Sequence, residues 1–144
     1  MPPDSLDDAL DQLYSVSPEA FTAARDALVK SLRTTDKEAA AAVKSLRKPP
    51  VTAWALNQVA RSHPDDLAAL VASDAALAQS QREGGGREAL AGATAARRDV
   101  IRRLTELAVA ALEAGGHPAS PANRDRIAQT LTSLAADEKG RAAL

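Results

Sequence analysis

Side chains suited to binding a partner are concentrated on one predicted helix, within residues 44–61. Four of them recur at the spacing i, i+3, i+4 and i+7, which places them on one face of a helix. An indole offers a large apolar area with one N–H donor, amides both donate and accept hydrogen bonds, and a guanidinium forks to a carboxylate or a phosphate. This face consists of Trp54, Asn57, Gln58 and Arg61.

Three interpretations of this helix face are open at the level of sequence. In the first, Trp54 fills the core and the two amides bond loop backbone. In the second, the face binds another protein, with Trp54 and Arg61 as anchors of the types enriched in interface hot spots, and with Arg47 and Lys48 at the rim. We favour the second as a functional prediction: a non-enzymatic helical interaction domain that presents this face to a protein partner or to another copy of itself.

The third interpretation, kept as the alternative, is a nucleic-acid-binding (DNA-binding) domain with a helix-turn-helix-like pair at 36–61. Base edges would be read by Asn57, Gln58 and Arg61, and phosphates would be held by Lys44, Arg47 and Lys48, with further contacts from Arg98 and Arg102. The Pro-Pro connection lacks the glycine often found in such a turn, and tryptophan is an unusual groove reader.

Arg97 is a second unusual residue, because it lies near the middle of an apolar stripe on a long predicted helix, residues 87–114. An arginine in that position must reach solvent along its stem, pair with an acid, or face a ligand. We expect an ion pair with an acid from another helix; the functional alternative is an anion pocket.

Most other chemistries are missing from the sequence. The chain has no cysteine and two histidines, His63 and His117, and each histidine precedes a proline at a predicted helix boundary. No nucleophile elbow, phosphate-binding loop, zinc-protease or calcium motif is present. Many acidic residues fall in first helical turns, where they favour the helix dipole. We therefore predict no catalytic residue, no cofactor and no metal, and we do not expect an enzyme.

The elements that carry these residues are predicted to be helices throughout. Alanine, the best helix former, is the commonest residue, whereas Phe, Trp and Tyr occur once each. Prolines and glycines divide 1–144 into about seven helices with short loops, which predicts a single all-α domain packed as a compact helical bundle. Gly84 to Gly86 is expected to form a flexible turn, and capping signals are found at Ser5, Ser17, Thr35 and Ser120.

The net charge of −1 disfavours a general polyanion binder, which is normally basic. The charge is unevenly spread, however: residues 1–36 hold three basic and seven acidic residues, and residues 37–61 hold five basic and one acidic. No run approaches the roughly 18 apolar residues of a membrane span, and the acidic N-terminus lacks the apolar core of a signal peptide. We expect a cytoplasmic protein that binds no membrane.

Residues 42–66 also resemble a family of uncharacterised helical proteins from high-GC actinobacteria. The resemblance rests on Arg47-Lys48-Pro49, Ala53-Trp54-Ala55, Asn57-Gln58, Ala60-Arg61 and His63-Pro64-Asp65, and extends loosely over most of the chain. Such proteins often continue into a charged, alanine-rich coiled coil. The resemblance is therefore compatible with 1–144 being the N-terminal part of a longer protein.

Overall fold

Helices account for the regular structure of this protein. The computed structural model describes residues 6–84 and 86–136, and within them all regular elements are helical, which confirms the all-α prediction. A short 3-10 helix, Pro18–Ala20, precedes the second of the seven α-helices found in these residues. The helices are α1 (Leu6–Ser15), α2 (Phe21–Leu32), α3 (Lys37–Lys44), α4 (Val51–Ser62), α5 (Pro64–Glu83), α6 (Gly86–Ala114) and α7 (Pro121–Ala136). None of the described helices has the length and apolar character needed to cross a membrane.

The chain divides into two compact units, residues 1–57 and residues 58–144, with the division inside α4. The expectation of one domain over 1–144 stays a prediction. In the first unit, α2 packs on α3 and, less extensively, on α1. Its core consists of Leu13, Phe21, Val29, Ala40 and Val43, with Leu10, Tyr14 and other partly buried apolar residues around it.

The beginning of α3 corrects one predicted cap. Asp36 is the N-cap residue, because its side-chain oxygen accepts a hydrogen bond from the backbone N–H of Ala39 at 3.0 Å. The capping box had been predicted one residue earlier, at Thr35, whose hydroxyl instead faces the carbonyl oxygen of Leu32 at 3.5 Å. A carboxylate is as good a cap as a hydroxyl, so a Thr-Asp pair leaves the register open by one residue.

The other predicted caps have mixed outcomes. Ser120 caps α7 as expected, since its hydroxyl accepts from the backbone N–H of Asn123 at 3.1 Å. Ser17 precedes the 3-10 helix, but its side chain makes no capping hydrogen bond. The prediction that Ser17 caps a helix through its hydroxyl is therefore wrong. The cap predicted at Ser5 lies outside the described residues.

In the second unit, α6 packs against both α5 and α7. The chain turns between α5 and α6 at Gly84, which has φ +59° and ends α5 in the left-handed conformation. The buried apolar residues cluster toward one end of these helices: Leu70, Leu104, Ala108, Val109, Leu112, Ile127 and Leu131. Two large apolar residues of these helices are exposed: Leu90, near the turn on α6, at 38%, and Val71, next to Leu70 on α5, at 45%.

Candidate functional site

The helix predicted to carry the binding face is α4, and its side chains differ widely in exposure. Trp54 is buried, with 8% of its surface exposed, and Ala55, Leu56 and Val59 are buried as well. This burial confirms the part of the first interpretation that concerns Trp54, because the indole is enclosed by protein. An indole this enclosed offers little area for a partner to cover.

The remaining residues of the predicted face and its rim are more accessible. Asn57 and Gln58 are half-buried, and Arg61 is exposed. Arg47 and Lys48 are exposed in the segment between α3 and α4. That segment, residues 45–50, is longer than the three- or four-residue turn typical of a helix-turn-helix. Binding through this face, to protein or to nucleic acid, stays a prediction.

A different group of cations comes together on the surface of the first unit. Lys30 lies in the last turn of α2, Arg33 is the C-cap residue of that helix, and Lys44 lies in the last turn of α3. With two neighbours they line a surface groove of about 430 Å³, which we call the basic groove. Its lining residues are Asp26, Val29, Lys30, Arg33 and Lys44.

The single acid of the basic groove already has a cationic partner. The Arg25 guanidinium donates to Asp26 Oδ1 from Nε at 3.2 Å and from Nη2 at 3.1 Å. Arg25 Nη1 also donates to the carbonyl oxygen of Leu46 at 3.1 Å, which ties the start of α2 to the chain just after α3. Because Arg25 compensates the charge of Asp26, the three other cations leave the groove net positive.

The floor of the basic groove is apolar. Val29 belongs to the core of the first unit and has 5% of its surface exposed, whereas Lys30, Arg33 and Lys44 are all exposed. The groove therefore presents exposed positive charges around a valine that is itself almost fully covered by protein. Of its cations, only Lys44 was predicted from the sequence as a binding residue; the signal for the other two was their spacing of three residues at the C-terminal end of α2.

The two arginines predicted as further nucleic-acid contacts lie on α6 in the second unit. Both Arg98 and Arg102 are exposed, and the side chain of Arg102 is 3.9 Å from Asp99 Oδ1. A wide surface groove of about 610 Å³ lies beside Arg102, lined by Asp99, Arg102, Arg103, Glu106 and Leu107. Two acids balance two bases there, so this groove carries no excess charge for an anion.

A polar cluster joins α5 and α6 in the second unit. Arg103 donates to Asp66 from Nε at 2.6 Å and from Nη2 at 3.5 Å, and His63 Nδ1 lies 3.6 Å from Asp66 Oδ2. The hydrogen bond from Arg103 lowers the pKa of the Asp66 carboxyl, and the same bond raises the pKa of Arg103. The Asp66 carboxylate and the Arg103 guanidinium satisfy one another, as in a structural ion pair.

Arg97 also has protein partners. Its Nε lies 3.9 Å from Asp74 Oδ1 on α5, and its Nη2 donates to the carbonyl oxygen of Thr132 on α7 at 3.1 Å. The expected pairing with an acid of another helix is confirmed. Among the residues that the structure describes, no group of three or more acidic or histidine side chains is arranged to hold a metal ion.

Comparisons with known proteins give no relative for this chain: no family model matches it, and neither the curated proteins nor the solved structures contain a significant match. The resemblance to actinobacterial helical proteins therefore stays a prediction.

Proposed function

We propose that the chain is a non-enzymatic, cytoplasmic binding module whose basic groove takes an acidic segment of a protein partner. The observation that carries this proposal is the composition of the groove. Lys30, Arg33 and Lys44 surround a nearly buried Val29, and the nearby acid is compensated by Arg25. A peptide that carries several carboxylates matches the charge of this rim.

The surroundings of the groove favour a protein over a nucleic acid. Helix α1 of the same unit carries Asp7, Asp8 and Asp11 and no basic residue. A nucleic-acid backbone spreads its charge over many nucleotides and meets acidic as well as basic surface here, whereas a short acidic peptide needs only the groove. The net charge of −1 points in the same direction.

Affinity for an acidic peptide is the direct test. Fluorescence anisotropy would follow a labelled peptide of glutamates flanking one leucine, alongside a peptide of equal length with glutamine in place of glutamate. Exposed ion pairs contribute about 0.2–1 kcal/mol each. Reversal of two charges in Lys30→Glu/Arg33→Glu is therefore expected to weaken binding by about tenfold or more, which corresponds to about 1.4 kcal/mol.

Arg82→Glu/Arg87→Glu is the matched control, because it changes the net charge equally at two exposed arginines of the second unit. It should leave peptide affinity within about twofold. Equal losses from both double variants would reduce the effect to net charge and overturn the proposal. Tight, salt-steep binding of mixed-sequence DNA or RNA in place of the peptide would also overturn it, in favour of the nucleic-acid alternative.

A further inference from the structure

The N-terminal end of α1 has the chemistry that the basic groove requires. Leu6, Leu10 and Leu13 form one stripe along α1; Leu13 is buried and Leu10 packs against the core. Leu6 lies at the end of the stripe and keeps 39% of its surface exposed. Asp7 follows it in sequence and is exposed, so an apolar side chain lies beside a carboxylate there.

We propose that a second copy of this chain is a partner of the basic groove, and that it binds through the first turn of α1. This inference rests on the proposed function of the groove and names the partner. Charge complementarity supports it: α1 has acids in its first turn and no basic residue in its last turn, whereas the groove has three cations and one compensated acid. The carboxylates of one copy would pair with the cations of the other, and Leu6 would lie over the groove.

The two surfaces are separate within one copy, because no residue of α1 lines the basic groove. Contact between copies therefore joins two different surfaces. Such a heterologous interface leaves one groove and one α1 end unused in every pair, so association continues into short open chains unless the rotation closes a ring. The contact depends on exposed charge and weakens as salt shortens the Debye length.

Variants with reversed charges in the basic groove or on α1 test this arrangement. Sedimentation velocity or light scattering would follow the mass of the wild-type chain over a concentration series, at low and at high salt. We expect the mass at low salt to rise with concentration beyond that of a dimer. Lys30→Glu/Arg33→Glu alone and Asp7→Lys/Asp8→Lys alone should both remain monomeric. An equimolar mixture of the two should recover the wild-type mass, because each reversed surface meets its complement.

Two further variants separate the contact from loss of structure. Leu6→Ser keeps the charge and should shift association to about fivefold higher concentration, because it removes the apolar anchor. Glu88→Lys reverses one exposed acid on α6 and should leave association unchanged. Asp7→Lys/Asp8→Lys should still bind the glutamate peptide, which shows that its groove is intact.

The outcomes distinguish this inference from the proposed function. A wild-type chain that binds the acidic peptide but stays monomeric at every concentration and salt overturns self-association and leaves the groove's function standing. Failure of the mixed variants to regain mass also overturns it. A wild-type chain that neither binds the acidic peptide nor self-associates overturns both proposals.

Discussion

Arg97 on α6 donates a hydrogen bond from Nη2 to the main-chain carbonyl oxygen of Thr132 on α7, at 3.1 Å. The other side of its guanidinium faces α5, with Nε 3.9 Å from Asp74 Oδ1. One side chain thus connects three helices of the second unit, and only 18% of its surface is exposed. An arginine inside an apolar stripe is tolerated here because the neighbouring helices supply its acceptors.

Removing this connection should destabilise the second unit. A hydrogen bond with a charged donor contributes about 1.5–3 kcal/mol, and the arginine stem also packs. Arg97→Ala is therefore expected to lower the free energy of unfolding by about 2 kcal/mol in urea denaturation. Arg97→Met, which keeps most of the stem, should lose less. Arg98→Ala, at the exposed neighbour, should stay within about 0.5 kcal/mol of wild type; equal losses at the two positions would contradict the role of Arg97.

Prolines and glycines made the helix boundaries predictable from sequence. The sequence predicts a helix boundary at the Pro-Pro connection and another at His63, and α4 runs between them from Val51 to Ser62. Pro and Gly act locally, through fixed φ or left-handed backbone, so their positions alone indicate where helices stop. The sixth helix was placed at 87–114 for the same reason and begins one residue earlier, at Gly86.

The basic groove was beyond sequence reasoning because it depends on how two helices pack. Lys30 and Lys44 are separated by the turn after α2 and meet only through the packing of α2 on α3. The exposure of Leu90 was missed for a related reason: helical spacing reveals an apolar stripe but not how far along it a neighbour extends. Asp74 and Thr132 as partners of Arg97 likewise require the packing of three helices.

The ion pair between Asp66 and Arg103 predicts a pH dependence of stability. Arg103 lowers the pKa of Asp66 in the folded chain, so the folded state favours the ionised carboxylate. This contribution is fully present above the ordinary aspartate pKa of about 3.9 and is lost as the pH falls through the lowered value. The urea midpoint of the wild-type chain should therefore approach that of Asp66→Asn as the pH decreases below about 4.

A matched carboxylate serves as the control for this pH profile. Asp99 is 73% exposed and its Oδ1 lies 3.9 Å from Arg102, without the short hydrogen bond that Asp66 accepts. Asp99→Asn should leave the midpoint close to wild type at neutral pH, because an exposed ion pair at this distance contributes little. A pH-independent gap between wild type and Asp66→Asn would contradict the role of the carboxylate charge.

One chemical change should have opposite effects at two glycines. Gly84 has φ +59° and an added Cβ would meet nothing within 4 Å, so the cost of Gly84→Ala comes from the left-handed backbone alone. We expect a loss of about 1 kcal/mol. Gly92 lies inside α6, also with open space at its Cβ, so Gly92→Ala should gain about 1 kcal/mol through helix propensity. Thermal unfolding of both variants tests the pair; equal signs would contradict it.

The N-cap of α3 provides a test of register. Asp36→Ala removes the acceptor of the Ala39 N–H and should cost about 1 kcal/mol. Thr35→Ala removes only a 3.5 Å contact to Leu32 and should cost a few tenths of that amount. The urea midpoints of the two variants distinguish the two cap positions. A larger loss of stability in Thr35→Ala than in Asp36→Ala would show that Thr35 is the cap, as the sequence predicts.

Trp54 tests whether a conspicuous aromatic residue belongs to the interior or to a binding face. It is the single tryptophan of the chain, so its emission reports on one site; with 8% exposure, native emission should lie to the blue of the unfolded chain and resist acrylamide quenching. Trp54→Ala should cost about 3–5 kcal/mol of stability, and Trp54→Phe less. The folded Trp54→Phe chain should keep its affinity for the glutamate peptide, because Trp54 does not line the basic groove. Emission like that of the unfolded chain, together with lost affinity at unchanged stability, would return Trp54 to the role of surface anchor.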